Sequence, residues 1–300
     1  MMTFILATRP SALARWQTGW VISALHTAYP GLECVEKIIT TEGDRILNRP
    51  LPEIGGKGVF TQELEEILSK GDVHAAVHSL KDLPVEQPPG LTIGAIPRRG
   101  EVRDVIISAY GYSLESLPIG AKVGTSSLRR AAQLLALRPD LKLESLRGNI
   151  DTRIRKAMEG LYDAILLAGA GVVRLGLENY VTDWLPLSVM LPAPGQGALA
   201  VQCREDDVET NTYLRAIDDT DARLCTQAER AFLAALGGGC AVPVAAFAEV
   251  RVQSIELQGL VASEDGRKVI RCSARGNVPQ EVGELCAQQA IARGAKELIS

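Results

Sequence analysis

Val123-Gly124-Thr125-Ser126-Ser127-Leu128-Arg129-Arg130 runs from an apolar strand end, through a small polar turn, into a helix start. Strand, tight turn and helix in that order are the repeating unit of an open α/β sheet. Two arginines in a first helical turn oppose the macrodipole, whose positive end already lies there, so something anionic is expected to compensate them. Backbone N–H groups, the hydroxyls of Thr125, Ser126 and Ser127, and two guanidinium forks make an anion site at a helix N-terminus. Taken alone, the turn is equally an N-cap serine followed by two solvated arginines.

Two further junctions repeat the theme: Ser145-Leu146-Arg147-Gly148-Asn149-Ile150-Asp151-Thr152-Arg153, and Thr8-Arg9-Pro10-Ser11 nearer the N-terminus. In open α/β sheets the carboxyl ends of the strands line the ligand crevice, so these arginines are expected to converge on one cleft. Planar forks suit carboxylates or phosphates, and a ligand with several negative groups is implied.

Outward from these junctions, strands are expected at 4–7, within 34–40, at 75–78 and at 91–96, with helices at 11–26 and 61–70 and a turn at Gly71. Residues 43–60, rich in glycine and proline and without periodicity, read as a mobile loop. After Pro97-Arg98-Arg99-Gly100, strands at 123, 143–146 and 164–167 alternate with helices at 127–137 and 151–159, a second α/β unit of parallel character. Beyond the break at 192–197 come a strand near 198–203, a helix at 221–236, a hairpin around Asp265-Gly266 and a helix at 279–299. These last elements read as a smaller α+β domain.

The chain has 300 residues, enough for two or three domains, and is 46% apolar and 23% charged, which excludes disorder. A net charge of −4 and 4% aromatics give neither the basic excess nor the stacking surface of a nucleic-acid binder. The longest uncharged windows, 184–203 and 231–248, are broken by proline and glycine, so no membrane span is expected. The N-terminus lacks the features of a secretory signal, and a cytoplasmic location is expected. Six cysteines without a CxxC pair argue against a zinc or disulfide framework.

Val77-His78-Ser79-Leu80-Lys81-Asp82-Leu83-Pro84 leaves a strand and sets Lys81 and Asp82 at its carboxyl end. Asp82 either pairs with a neighbouring cation or acts as a general acid or base, or as a carboxylate stabilising a cationic intermediate. His74 and His78 have i, i+4 spacing, but on a strand, and no metal site is expected. Gly237-Gly238-Gly239-Cys240 ends a helix and allows close approach of a bulky group, although a cysteine is more often a small buried hydrophobe. Gly55-Gly56-Lys57-Gly58 lacks the spacing of a P-loop, and no GxGxxG follows the first strand, so nucleotide cofactors find no support.

Taken together and in order, ATRPSALARWQ (7–17), GGKGVF (55–60), AVHSLKDLP (76–84), GTSSLRR (124–130), LRGNIDTR (146–153), LPAPGQGAL (191–199) and GGGCAVP (237–243) closely resemble the porphobilinogen deaminase family, the hydroxymethylbilane synthases. The resemblance implies two α/β lobes like those of periplasmic binding proteins, plus a smaller α+β C-terminal domain. Residues 1–98 with 197–217 would form the first lobe, 99–196 the second, and 218–300 the third domain. It implies a dipyrromethane cofactor held covalently by Cys240, with Asp82 as the catalytic residue. Ser79, Lys81, Thr125, Ser127, Arg129, Arg130, Arg147 and Gly148 fall where the family binds the cofactor. Arg9, Ser11, Gln17, Phe60, Arg147, Arg153 and Gln196 fall at substrate-binding, cleft or hinge positions.

The implied reaction joins four porphobilinogens head to tail with loss of ammonia and releases 1-hydroxymethylbilane, in tetrapyrrole biosynthesis. The partners would be porphobilinogen and the growing oligopyrrole chain, with no nucleic acid and no membrane, and the enzyme would be a monomer. Each pyrrole carries acetate and propionate groups, which accounts for the arginines. Glu53, Arg15 and Ala241 depart from the residues usual in the family; Glu53 falls in the expected mobile loop and puts a cationic role there in doubt. A binding-protein-like sensor of an anionic small molecule would also explain the arginines, but not Cys240 together with Asp82.

Overall fold

A computed structural model describes residues 3–45, 61–237 and 242–299. Phe60, Cys240, Glu53, Ala241 and most of the loop expected at 43–60 lie outside the described residues. The chain divides into two compact units, Met1–Gly100 with Ala198–Arg223, and Glu101–Gly197 with Leu224–Ser300.

In the first unit β1 (Thr3–Thr8), α1 (Ala12–Ala28), β2 (Glu33–Ile38), α2 (Glu42–Arg45), α3 (Gln62–Ser69), β3 (Ala75–Ser79) and β4 (Leu91–Ala95) follow in order. α2 puts a helical turn at the start of the segment expected to be loop. The middle of β1, Phe4 to Ala7, is apolar because both of its faces are covered. Phe4 and Leu6 join Val21 and Leu25 of α1, while Ala7 joins Leu64 and Leu68 of α3 on the opposite side.

In the second unit come β5 (Asp104–Ile107), β6 (Lys122–Gly124), α4 (Leu128–Leu137), β7 (Lys142–Glu144), α5 (Ile150–Met158), β8 (Ala164–Ala168), α6 (Gly169–Arg174) and β9 (Val181–Trp184). The chain then returns to the first sheet as β10 (Leu199–Arg204), followed by α7 (Val208–Arg215) and α8 (Thr220–Ala235). β10 lies between β3 and β4, antiparallel to both, giving the order β2-β1-β3-β10-β4. The second sheet has the order β7-β6-β8-β5-β9, with β5 antiparallel to β8 and β9. Each sheet thus has parallel strands on one side and one reversed strand in the fourth place. The parallel character expected of the second unit is present in the neighbouring strands β6, β7 and β8, while β5 is reversed.

β11 (Val244–Arg251), β12 (Ser254–Ala262) and β13 (Val269–Gly276) form an antiparallel meander, followed by α9 (Pro279–Ile291) and α10 (Lys296–Ile299). One face packs Ala246, Ala248 and Leu257 against Phe232 of α8 and Val282 and Cys286 of α9. The other packs Ala245, Leu260 and Ala262 against Ala132 of α4 and Leu191. The single helix expected over 279–299 is two: Gly294 turns to φ +88° and the Ala295 N–H reaches the Ala290 carbonyl at 3.1 Å, a closure that ends α9. The fold class is the expected one, two mixed α/β sheets and a small antiparallel sheet carrying helices.

Candidate functional site

In the first unit β1 and β3 are parallel neighbours, so their carboxyl ends open at one edge of the sheet. Arg9 follows β1 and is bound by the Asp44 carboxylate, one contact being Nε to Oδ2 at 3.2 Å. Ser11 caps α1, its hydroxyl accepting the Ala14 N–H at 3.2 Å. Buried Gln17 donates to the Ser79 hydroxyl at 2.8 Å, which ties α1 to the end of β3. Leu80, Lys81 and Asp82 then form a single 3-10 turn, pinned by the Leu80 N–H donating to the Ala198 carbonyl at 3.1 Å. The Asp82 carboxylate at the end of this turn is exposed, and no hydrogen bond or ion pair joins it to a described residue.

In the second unit the quoted strand–turn–helix forms as read. Ser127 caps α4, and the Thr125 hydroxyl accepts the Ser127 N–H at 3.2 Å. Ser126 joins this junction to the next: its hydroxyl donates to the Leu146 carbonyl at 2.8 Å and accepts the Leu146 N–H at 3.0 Å. At that second junction Gly148 has φ +111°, a conformation that a β-carbon would strain and that Thr152 would crowd at 2.7 Å. Arg153 donates to the Gly148 carbonyl at 2.6 Å. The guanidinium of half-buried Arg147 has no hydrogen bond or ion pair to a described residue.

Arg129 and Arg130 are neither solvated nor unpaired. Both are buried around Asp104, which has no exposed surface. Arg129 Nη1 donates to Asp104 Oδ2 at 2.6 Å and to the Leu191 carbonyl at 2.7 Å. Arg130 meets Oδ1 through Nε at 3.0 Å and Nη2 at 2.8 Å, and Gln196 adds an amide donor at 3.1 Å. Burial alone would raise the Asp104 carboxyl, but the two guanidinium groups outweigh it and hold the group well below the usual carboxylate range. One carboxylate between two guanidinium groups leaves the cluster with a single net positive charge. Arg129 Nε remains buried without a hydrogen-bond partner.

Sequence reasoning missed Asp104, whose partners lie 25 and 26 positions away. It also missed Glu229, fully buried on α8, which accepts the Gly195 N–H at 2.7 Å and the Ala248 N–H at 2.8 Å. Its two oxygens tie the Pro194-Gly195-Gln196-Gly197 turn to β11. Arg174, on α6, donates to the Gly197 carbonyl at 2.7 Å, and burial pushes its guanidinium down to about 10. Arg15 bonds Glu36 across α1 and β2. Among the described residues no cluster of His, Cys, Asp and Glu could hold a metal ion, and no helix is long and apolar enough to cross a membrane.

Residues 4–212 match the family model described as porphobilinogen deaminase, dipyromethane cofactor binding domain, and residues 223–292 match its C-terminal domain. The chain is 48% identical to porphobilinogen deaminase of Brevibacillus brevis, covering 98% of this chain and 96% of that protein. It is also 48% identical to the porphobilinogen deaminase of Roseiflexus sp., covering 99% of both. Weaker likenesses among solved structures include the substrate binding domain of a putative molybdenum ABC transporter from Clostridium difficile, with a TM-score of 0.46 at 9% identity over 73% of this chain and 93% of that one.

Proposed function

The chain belongs to the porphobilinogen deaminase family, and from that premise we propose that Asp82 is its catalytic carboxylate and Cys240 the anchor of its cofactor. The activity is that of a transferase of tetrapyrrole biosynthesis, which joins four porphobilinogens on a dipyrromethane primer and releases 1-hydroxymethylbilane. The roles of the individual residues follow from the chemistry this activity requires.

The observation that carries the reading is the state of Asp82: exposed at the carboxyl end of β3, with no partner among the described residues. Loss of ammonia from an aminomethyl pyrrole needs a proton on the departing nitrogen and leaves positive charge on the ring. A carboxyl group not already neutralised can serve both needs. When bound, the dipyrromethane supplies the free pyrrole α-carbon to which the first substrate is joined. Its acetate and propionate groups fit the donors of the second unit. Arg147 has no side-chain partner among the described residues, Arg129 keeps an Nε without a hydrogen-bond partner among them, and the Asp104 cluster keeps net positive charge. Thr125 and Ser127 lie at the same helix start, while Ser79 and Lys81 flank Asp82 on the first unit.

Arg9, Ser11, Gln17, Phe60, Arg153 and Gln196 are read as substrate-cleft or hinge residues. Gln17 acts by holding Ser79, and Gln196 by holding Asp104. The three-domain reading, 1–98 with 197–217, 99–196 and 218–300, is supported by three separate sheets. A cytoplasmic monomer is in keeping with the family. The test is intact-protein mass: the purified chain is expected to exceed its sequence mass by one dipyrromethane, and Cys240→Ala to carry none. An unmodified mass in active enzyme would reject the assignment, whereas an unmodified chain that binds porphobilinogen without consuming it would favour the sensor reading.

A further inference from the structure

Two thiols that the proposed chemistry does not use face each other in the C-terminal core. Cys272 on β13 and Cys286 on α9 have their sulfur atoms 3.1 Å apart, with Cys286 donating its S–H to Cys272. Cys286 has no exposed surface and Cys272 is 8% exposed. Across the ladder Cys272 pairs with Gly259, where a β-carbon would stand 2.8 Å from the Cys272 sulfur. The glycine therefore keeps open the space into which that sulfur can turn.

We propose that Cys272 and Cys286 are an oxidisable dithiol, a modification site at which hydrogen peroxide closes an intramolecular disulfide between β13 and α9. The pair is chemically unequal. The hydrogen bond from Cys286 lowers the Cys272 thiol against the effect of burial, and the charge of Arg293, which donates to the Arg271 carbonyl at 2.8 Å, works in the same direction. Cys286 is pushed far up by that same hydrogen bond and by burial. Cys272, the more exposed of the two and the acceptor of the Cys286 S–H, is the attacking thiolate, and fully buried Cys286 is the resolving thiol. By contrast, burial drives the Cys203 thiol up to about 11, beyond ready ionisation.

In the first step the Cys272 thiolate attacks a peroxide oxygen and the O–O bond breaks. Sulfur takes one oxygen as sulfenic acid, and the other leaves as water after taking up a proton. In the second step the Cys286 sulfur attacks the sulfenic sulfur, the S–O bond breaks, and the hydroxyl leaves as water with the Cys286 proton. Two thiol hydrogens are lost and one peroxide is reduced to two waters. The bond joins α9 to the sheet it covers and closes a loop of 14 residues, restricting the unfolded chain.

The test treats the cofactor-loaded protein with hydrogen peroxide and maps the cysteines by mass spectrometry of a digest made without reductant. The expected product is a cross-linked peptide pair containing 272 and 286, about 2 Da lighter than the sum of the two thiol peptides. Its formation should raise the thermal unfolding midpoint, and dithiothreitol should reverse both changes. Cys286→Ala should instead leave a sulfenic acid on Cys272 that a dimedone-type reagent captures. Peroxide that leaves both thiols free while oxidising other cysteines, or that oxidises them singly without a cross-link, would overturn the proposal. Because 272 and 286 are mapped separately from 240, neither result bears on the cofactor assignment.

Discussion

Asp104 and Asp82 are the same residue type set among the same kinds of neighbour, yet they end in opposite states. Asp104 opens β5 inside the second sheet, is fully buried, and receives donors from Arg129, Arg130 and Gln196. Asp82 ends the short turn leaving β3, is exposed, and has no partner among the described residues. A carboxylate surrounded by guanidinium groups is held ionised and cannot readily exchange a proton, so it serves to fix the arginines. Asp82, at a strand end, meets no such donor among the described residues. Placement within the sheet, and not residue type, separates the two states.

The contrast breaks most directly at Asp82. Asp82→Asn is expected to fold normally, with kcat lowered about 10²- to 10⁴-fold, which is about 3 to 5.5 kcal/mol of barrier. Ammonia release in a single turnover on cofactor-loaded protein measures it, and near-normal release would dissolve the distinction between the two aspartates. Asp104→Asn should act on stability instead, costing about 3 to 5 kcal/mol in denaturant unfolding, because two buried guanidinium groups lose their counter-charge. The folded Asp104 carboxyl lies below its unfolded value of about 3.9, so its contribution is fully present above that pH and is lost as pH falls toward the folded value. The stabilities of the two proteins should therefore converge in strong acid.

A third measurement sharpens the comparison at a neighbour of the Asp82 turn. His78 on β3 is buried, and burial pushes it down to about 4. As pH falls below the unfolded value of about 6.5, the unfolded chain takes up the proton first, so stability declines from there until the folded group titrates near 4. The loss should approach about 3 kcal/mol, and unfolding of His78→Gln should lack it across that window. The smallest effect divides the arginines. Arg147→Leu should weaken cofactor loading or elongation by about 1.5 to 3 kcal/mol with little change in unfolding, whereas Arg129→Leu should lower stability as well. Equal stability losses in both variants would remove the difference drawn between a tied and an untied guanidinium.

The junctions at 8–11, 123–130 and 145–153 were legible because an apolar run, a polar turn and a helical period fall within a few residues of one another. The elements that escaped notice lack such local marks. β5 is four residues long, α6 is rich in glycine, and α7 carries Val208, Thr210 and Thr212, residues of modest helix propensity. α7 forms because Asp207 caps it, accepting the Thr210 N–H at 3.0 Å, and because Leu214 is buried in the core of the first unit. The motifs of the resemblance supplied the candidate residues by position, but not their partners.

The sequence by itself determined the α/β class, the strand-to-helix junctions and the supply of arginines. All of these rest on hydrogen bonds and periodicities within one or two turns of chain. Only the tertiary structure decided that β10 returns between β3 and β4, that Asp104 engages Arg129 and Arg130, that Asp82 has no partner among the described residues, and that Cys272 meets Cys286. Those outcomes depend on which distant segments share a buried face, where loss of solvent makes a missing partner costly and a present one strong. A single charged residue read along the chain carries no sign of whether that partner will be there.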